Sequence, residues 1–441
     1  MKRPAAVAVL LSVAVSLVIL VTFDGGSSNP PASETTVLTV DPDLLIDGTF
    51  VGSPDRRRAA FAARDGEIRY VVVDNQEGPR YSRIGTPQFS ADNLRVAYSA
   101  QRDDGRVVVV VDGIEGPPYD AFAAAARVFS PDSSRVAYGA RSGDRWLVVV
   151  DGREGKAYDG VEPPVFSPDS RRIAYVAHEG QRARVVVDGR EGPLYDRTPS
   201  PSVRFSPDSR RIAYAAEQGG RWFIVADGRP GPAFDSMGRG SPYFSPDGSR
   251  IGYRAERDGQ WFAVIDNQAS PAYARVGAIV FGGGRVAYAA LRDDWWTVVI
   301  DGREGPRYDL IVEDSVRFSP NGRRLAYVVK EGGQSFTVID GVEGPRFGQV
   351  VPGSLVFSPD GRRFAYIARS DGRWALIVDG QVTARFDEVF ENGLSFSPDS
   401  RRVAVAARDS KGAFVVVDGR RLRRYAAIAT VGGPAVVFDG P

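Results

Sequence analysis

The chain of 441 residues carries one histidine, His178, and no cysteine. Any Ser-His-Asp or His-dyad mechanism therefore depends on that single imidazole. Thiolate nucleophiles, disulfides and thiolate metal sites are excluded outright. His178 stands in Ala177-His178-Glu179-Gly180 and reads as a solvated residue in the connection between two strands. As a lone general base it would need partners that no neighbouring motif supplies. Carboxylates are abundant but regular. An Asp opens a D-G or D-N pair at Asp74, Asp112, Asp151, Asp188, Asp227, Asp266, Asp301, Asp340, Asp379 and Asp418. A Glu follows three residues later at Glu77, Glu115, Glu154, Glu191, Glu304 and Glu343. An active site needs one asymmetric constellation, so such uniformity points to a turn requirement. Neither a D-x-D-x-D-G calcium spacing, a G-x-S-x-G elbow nor a phosphate loop ending in G-K-[ST] occurs. The residues predict no catalytic group, no metal site and no cofactor.

One column behaves differently. Five residues before the D-G Asp stand Trp146, Trp222, Trp261, Trp296 and Trp374, with Trp295 adjacent, whereas other copies have Arg69, Val107, Ala183, Ser335 and Ala413. A position that accepts Trp, Arg or Ser is not an obligatory core site. Three consecutive copies carry Trp222, Trp261 and Trp295/Trp296, which makes these the candidate binding residues, because clustered exposed aromatics mark binding surfaces. The competing reading is that the rings pad gaps between neighbouring units.

These columns belong to an internal repeat, which decides the fold. An F-S-P-D element recurs with its Asp at Asp55, Asp92, Asp132, Asp169, Asp208, Asp247, Asp360 and Asp399, and Gly284 and Asn321 fill the same column in two further copies. Ten copies of about 38 residues result. Spacing from the D-G Asp to the next F-S-P-D column varies by two residues, which preserves strand alternation and assigns the variation to one connecting loop. Each copy reads as four short strands. The first ends at the Phe of F-S-P-D, and the second is the R-[VIL]-A-Y segment such as Ile173-Ala174-Tyr175. The third is the β-branched run before D-G, such as Val148–Val150, and the fourth carries the aromatic of G-P-x-[YF], such as Tyr195 or Phe234. Ser-Pro-Asp-Gly/Ser and Asp-Gly are turn sequences. The 49 glycines and 30 prolines are largely accounted for by these turns. The fold class is all-β: a β-propeller of about ten four-stranded blades. The Arg pairs, such as Arg171-Arg172 and Arg210-Arg211, are expected to face solvent or to bridge acidic groups on adjacent blades.

The segment F-S-P-D-[GS]-R-R-[VI]-A-Y, as in Phe357 to Tyr366, resembles the WD40-like repeats of the TolB-type propellers of bacterial envelopes. The resemblance covers nearly everything from about Thr49 onward and implies the propeller fold. The chain lacks the Trp-Asp dipeptide and the Gly-His pair of the true WD repeat, and its ten copies exceed the six of TolB-type propellers. Ten copies could close as one ten-bladed ring, two five-bladed rings or an unequal pair; with no linker or composition break in the array, a single ring is expected. To close it, the terminal run Ala435–Phe438 would act as a first strand beside the poorly formed one around Thr49–Gly52.

Ahead of the repeats, Lys2 and Arg3 precede an apolar run from Ala5 to Phe23, long enough as a helix to span a bilayer. Residues 1–23 are therefore expected to be a transmembrane anchor or signal helix, residues 24–37 a flexible linker, and residues 38–441 the propeller, exported to the periplasm or cell surface. The charge balance, 56 Lys and Arg against 55 Asp and Glu, argues against nucleic acid as a partner. The function expected is a membrane-tethered, non-catalytic module that binds or scaffolds a protein or envelope polymer. The alternative is a propeller glycan hydrolase or lyase with carboxylates at the channel mouth, for which Glu162, Glu313, Asp314 and Glu391 are the candidates.

Overall fold

The computed structural model describes residue 46 and residues 48–425, apart from 56, 200 and 201. The expected apolar span at 1–23, the linker at 24–37 and the closing strand at 435–438 lie outside the described residues. Among the described residues, no helix is long and apolar enough to cross a membrane.

The D-G pairs shape the chain locally. At Asp188-Gly189 both residues have positive φ, 53° and 76°. That is the mirror-image two-residue turn whose twist matches the strands on either side. Asp188 also ties in the second strand: its N–H donates to the Ile173 carbonyl and its Oδ1 accepts the Ile173 N–H, each at 2.9 Å.

Ten antiparallel sheets follow one another among the described residues. In chain order they are sheet 1 (Val51–Glu77), sheet 2 (Arg83–Glu115), sheet 3 (Ala121–Glu154), sheet 4 (Gly160–Glu191) and sheet 5 (Arg204–Pro230). Sheet 6 (Ser236–Ala269), sheet 7 (Arg275–Glu304), sheet 8 (Leu310–Glu343), sheet 9 (Gln349–Phe386) and sheet 10 (Glu388–Tyr425) complete the series. Sheets 1–6 belong to one compact unit, Asp41–Ala272, and sheets 7–10 to a second that takes up the chain from Tyr273.

Sheet 4 shows the shared plan. Its second strand, Ile173–Glu179, pairs with the third, Arg182–Val187, which pairs with Arg190–Glu191. Tyr195 then returns to the third strand through a bridge to Ala183, so the aromatic of G-P-x-[YF] does end the fourth strand. The first strand is broken into Gly160–Val161 and Val165–Phe166, both paired with the second strand. The break spans residues 162–164 here, but residues 312–316 in sheet 8 and 351–355 in sheet 9. The two-residue length variation of the repeat therefore sits inside the first strand. A longer break needs a polar anchor: Ser315 Oγ donates to the Val312 carbonyl at 2.6 Å and accepts the Val328 N–H at 3.0 Å. Ser202, Ser354 and Thr49 make the same pair of bonds in their sheets.

Within each unit, successive sheets bury apolar faces against one another, as sheet 5 shows. Ala174, Val176 and Val185 of sheet 4 pack with Phe205, Ile212, Tyr214 and Ala216 of sheet 5. The opposite face of sheet 5, through Ala213, Ala215 and Ile224, packs on Ile251 and Tyr253 of sheet 6. This is the stacking expected of blade-type repeats, in which no single unit can bury its own faces.

Sheet 7 replaces F-S-P-D with Phe281-Gly282-Gly283-Gly284. The reason is proximity: a Cβ at Gly322 of sheet 8 would lie 2.0 Å from the Gly283 nitrogen, and Gly322 itself has φ +68°. Gly322→Ala should therefore cost about 2–4 kcal/mol through clash and strain together. Gly332→Ala, with φ +56° but open space around it, should cost only about 1 kcal/mol. Thermal melting of the two variants tests the ordering; equal losses would refute the close-approach account.

Candidate functional site

The repeated polar residues are engaged between and within sheets. The second Arg of each pair does not seek acids on the adjacent sheet, as the sequence suggested. It binds the D-G Asp of its own sheet, and so do Arg95, Arg135, Arg250 and Arg285, which fill the same column without a preceding Arg; the ten bonds run from 2.6 Å at Arg58–Asp74 to 3.3 Å at Arg285–Asp301. The same guanidinium then reaches the next sheet. Arg211 Nη1 donates to the Ser249 carbonyl at 2.7 Å, and its guanidinium lies 5.7 Å from the Phe244 ring centre. Arg172 stands over Phe205, Arg324 over Phe364 and Arg363 over Phe396 in the same way. The first Arg of each pair, such as Arg171 or Arg210, is exposed as expected.

The Asp of F-S-P-D has its own bonds. Ser167 Oγ donates to Asp169 Oδ1 at 2.6 Å, while the Asp169 N–H donates to Ser209 Oγ of the next sheet at 2.9 Å. Ser209 holds a positive φ of 65°, a conformation that glycine would adopt more easily. The serine is kept there by this inter-sheet bond. Donor hydrogen bonds hold the carboxyls of Asp169, Asp208 and Asp247 low, and the hydroxyls of Ser245 and Ser249 bring Asp247 to about 2.

Tyrosines join the sheets a third time. The ring of Tyr158 at the end of sheet 4's predecessor, sheet 3, meets Tyr175 of sheet 4 edge-on at 6.3 Å, and its hydroxyl donates to Glu191 at 2.9 Å. Tyr81 with Glu115, Tyr119 with Glu154 and Tyr273 with Glu304 repeat the bond. Glu115 is also gripped by Arg102, and these two donors hold its carboxyl below the ordinary range. Glu115, Glu154, Glu191 and Glu304, each three residues past a D-G Asp, are thus the acceptors for buried phenols. Burial, and then the Glu115 charge, push the Tyr98 hydroxyl up to about 12.

The tryptophan column is divided. Trp222 and Trp261 lie in the first unit, Trp295 and Trp296 in the second. Trp222 is half-buried against Phe234, Ile251 and Tyr253. Trp296 is half-buried against Tyr308, Ile311 and Tyr327. Trp146 and Trp374 sit likewise against neighbouring clusters, so padding between sheets describes these rings. Trp295 differs, with 44 % of its surface exposed. Trp222 has a second role as one wall of a cleft of about 520 Å³, together with Ala215, Ser202, Met237, Arg239 and Ser241. Sequence reasoning found Trp222 but not the other walls. The Gly238-Arg239-Gly240 departure in the first-strand break of sheet 6 was the available signal.

His178 is not in the connecting loop. It occupies the second strand of sheet 4, opposite Gly160 and Ala183. Its Nε2 lies 3.1 Å from Glu162 Oε1, so the structure supplies a partner that no local motif announced. Both side chains are more than a third exposed. Glu313 and Asp314 are exposed in sheet 8 of the other unit, and the side chain of Glu391 lies outside the described residues.

No family model matches the chain, and no curated protein matches it. Solved structures do. A eukaryotic initiation factor is similar at 11% identity and a TM-score of 0.42, covering 87% of this chain and 98% of that one. The β-propeller domain of the Trilobed protease from Pyrococcus furiosus has 13% identity and a TM-score of 0.29, covering 59% of this chain and 93% of its own. TolB from Acinetobacter baumannii has 15% identity and a TM-score of 0.26, covering 80% and 82%. The blade-type architecture itself rests on the strand pairing described above.

Two predictions follow from these contacts. Trp222→Ser should cost about 2–3 kcal/mol, because it strips a ring from the sheet 5–6 core, whereas Trp295→Ser should stay within about 0.5 kcal/mol. Thermal melting of each variant reads the difference. The buried phenols give the second. Their folded-state values are raised, so their contribution to stability is intact below the unfolded value near 10 and lost as the pH climbs through the folded values, about 12 for Tyr98. Ultraviolet titration should show tyrosine ionisation coupled to unfolding above about pH 10; ionisation of every tyrosine near 10 with the fold intact would refute it.

Proposed function

We propose that the chain is an exported, membrane-tethered β-propeller protein of about ten blades that binds or scaffolds a protein or an envelope polymer and performs no catalysis of its own. The observation that carries this reading is how the repeat uses its chemistry. The D-G aspartates are committed to arginines and strand N–H groups, and the following glutamates to phenols. Side chains that break the pattern, such as the exposed Trp295 and the Trp222 cleft, offer apolar surface for contact. Apolar, aromatic patches on otherwise charged surfaces serve association. The apolar run at Ala5–Phe23 supports tethering, with the repeats outside the cytoplasm. Of Trp222, Trp261, Trp295 and Trp296, the cleft-lining Trp222 and the exposed Trp295, each in its own unit, are the candidate contact residues.

Capture from the cell's own envelope fraction tests the proposal. The full chain should retain a specific partner, and Trp295→Ser, which leaves stability intact, should reduce its recovery severalfold. A panel of envelope glycans incubated with the chain should show no turnover. Glycan cleavage that is lost in Glu162→Gln would overturn the non-catalytic reading.

A further inference from the structure

The cleft beside Trp222 has a division of polarity that specifies a ligand class. Its walls are the Trp222 ring, Met237 and Ala215. The hydroxyls that line it are already committed. Ser202 Oγ donates to the Pro199 carbonyl at 2.7 Å and accepts the Ala215 N–H at 3.0 Å. Ser236 Oγ donates to Glu256 at 2.7 Å, and Ser241 Oγ accepts the Arg254 N–H at 3.2 Å. The Arg239 carbonyl accepts from Tyr243 Oη at 3.2 Å and from Arg254 Nη2 at 2.9 Å.

The side-chain groups left over at this cleft include donors. Among the described residues, the Arg239 guanidinium, the Arg239 and Gly240 N–H groups and the Trp222 indole N–H form no hydrogen bond or ion pair. A guanidinium offers a forked set of donors matched to a carboxylate. The arrangement is particular to this sheet: where sheet 6 has Gly238-Arg239-Gly240, the corresponding break in sheet 8 has Glu313-Asp314 and that in sheet 9 has Pro352-Gly353. The loop is also held in place, because Gly238 donates its N–H to the Arg254 carbonyl at 2.9 Å and a Cβ on Gly238 would lie 2.7 Å from Arg254 Cβ. A volume of about 520 Å³ is of the size that holds small ligands.

We infer that this cleft binds an apolar carboxylate, its aromatic or aliphatic body against Trp222 and Met237 and its carboxylate on Arg239. The inference rests on the binding reading above and names the chemistry of one occupant. The same chemistry is offered by a free aryl-alkyl acid and by the C-terminal residue of an apolar peptide.

Calorimetric titration of the full chain with four probes tests it: phenylbutyrate, its amide, the dipeptide N-acetyl-Leu-Phe, and the amide of that dipeptide. At least one acid should bind about tenfold tighter than its own amide. Tighter binding of the dipeptide identifies a peptide terminus as the source, and tighter binding of phenylbutyrate a free acid. Arg239→Gln, at an exposed position, should abolish the preference for acid over amide while leaving the melting temperature unchanged. Trp222→Phe should weaken both acid and amide. Equal binding of acid and amide, an acid preference that survives Arg239→Gln, or no binding of either acid would overturn the inference. A chain that binds neither acid yet still captures an envelope partner would refute this site and leave the scaffolding reading standing.

Discussion

The arginine that follows the F-S-P-D turn carries three demands at once, as Arg211 shows. Arg211 pairs with Asp227 of its own sheet, donates to a carbonyl of the next sheet and covers that sheet's Phe244 ring. Each part alone is modest. The ion pair is about a third exposed, which puts its worth at about 0–1 kcal/mol, and a cation–ring contact adds about 0.5–1 kcal/mol. What matters is that one side chain fixes both the hairpin within a sheet and the distance to the next. Lysine, a point charge without the planar fork, could not meet these demands together. The chain has only Lys2, Lys156, Lys330 and Lys411 among its 56 basic residues. Composition alone does not account for why these arginines are geometrically spoken for.

The rest of the architecture follows from that constraint. Sheets of four short strands cannot cover their own apolar faces, so each depends on its neighbour in sequence. Three contacts set the spacing: the arginine at one turn, the serine hydroxyl on the preceding F-S-P-D amide, and the phenol on the glutamate. The first strand is the element left free to vary, since a break of three or five residues leaves the pairing on either side unchanged. Variation tolerated by the scaffold therefore accumulates there. The Trp222 cleft, the Glu313-Asp314 pair and the His178–Glu162 contact all involve that strand, which is where function has room to diverge.

Much of this was legible in the residues. The ten F-S-P-D and D-G columns revealed the repeat, and strand period with turn chemistry gave the four strands of each copy. The uniform Asp and Glu columns were rightly suspected of a structural role. Their partners were not legible, because Tyr158 and Glu191 are 33 residues apart and only stacking brings them together. The Gly/Ser alternation in F-S-P-D-[GS] is a visible signal whose meaning lies across sheets: Ser209 Oγ accepts the Asp169 N–H of the preceding sheet, while Gly322 permits a close approach. His178 was placed one element too late for a similar reason, since the strand extends past the A-Y pair to Glu179. The tryptophans were singled out correctly as a column of mixed type, yet whether each ring pads or protrudes depends on the face its strand presents.

What the sequence determined by itself was therefore the periodic part. Asp-Gly turns, Ser-Pro-Asp turns and alternating apolar strands are local, and local chemistry decides them within a few residues. The tertiary structure decided everything that spans two copies: that Arg211 serves two sheets, that the glutamates hold phenols, that Glu162 meets His178, and that Trp222, Met237 and Arg239 share one cleft. Those pairings join residues of adjacent strands or sheets, and their distances are set by how strand faces stack, a quantity no single repeat contains.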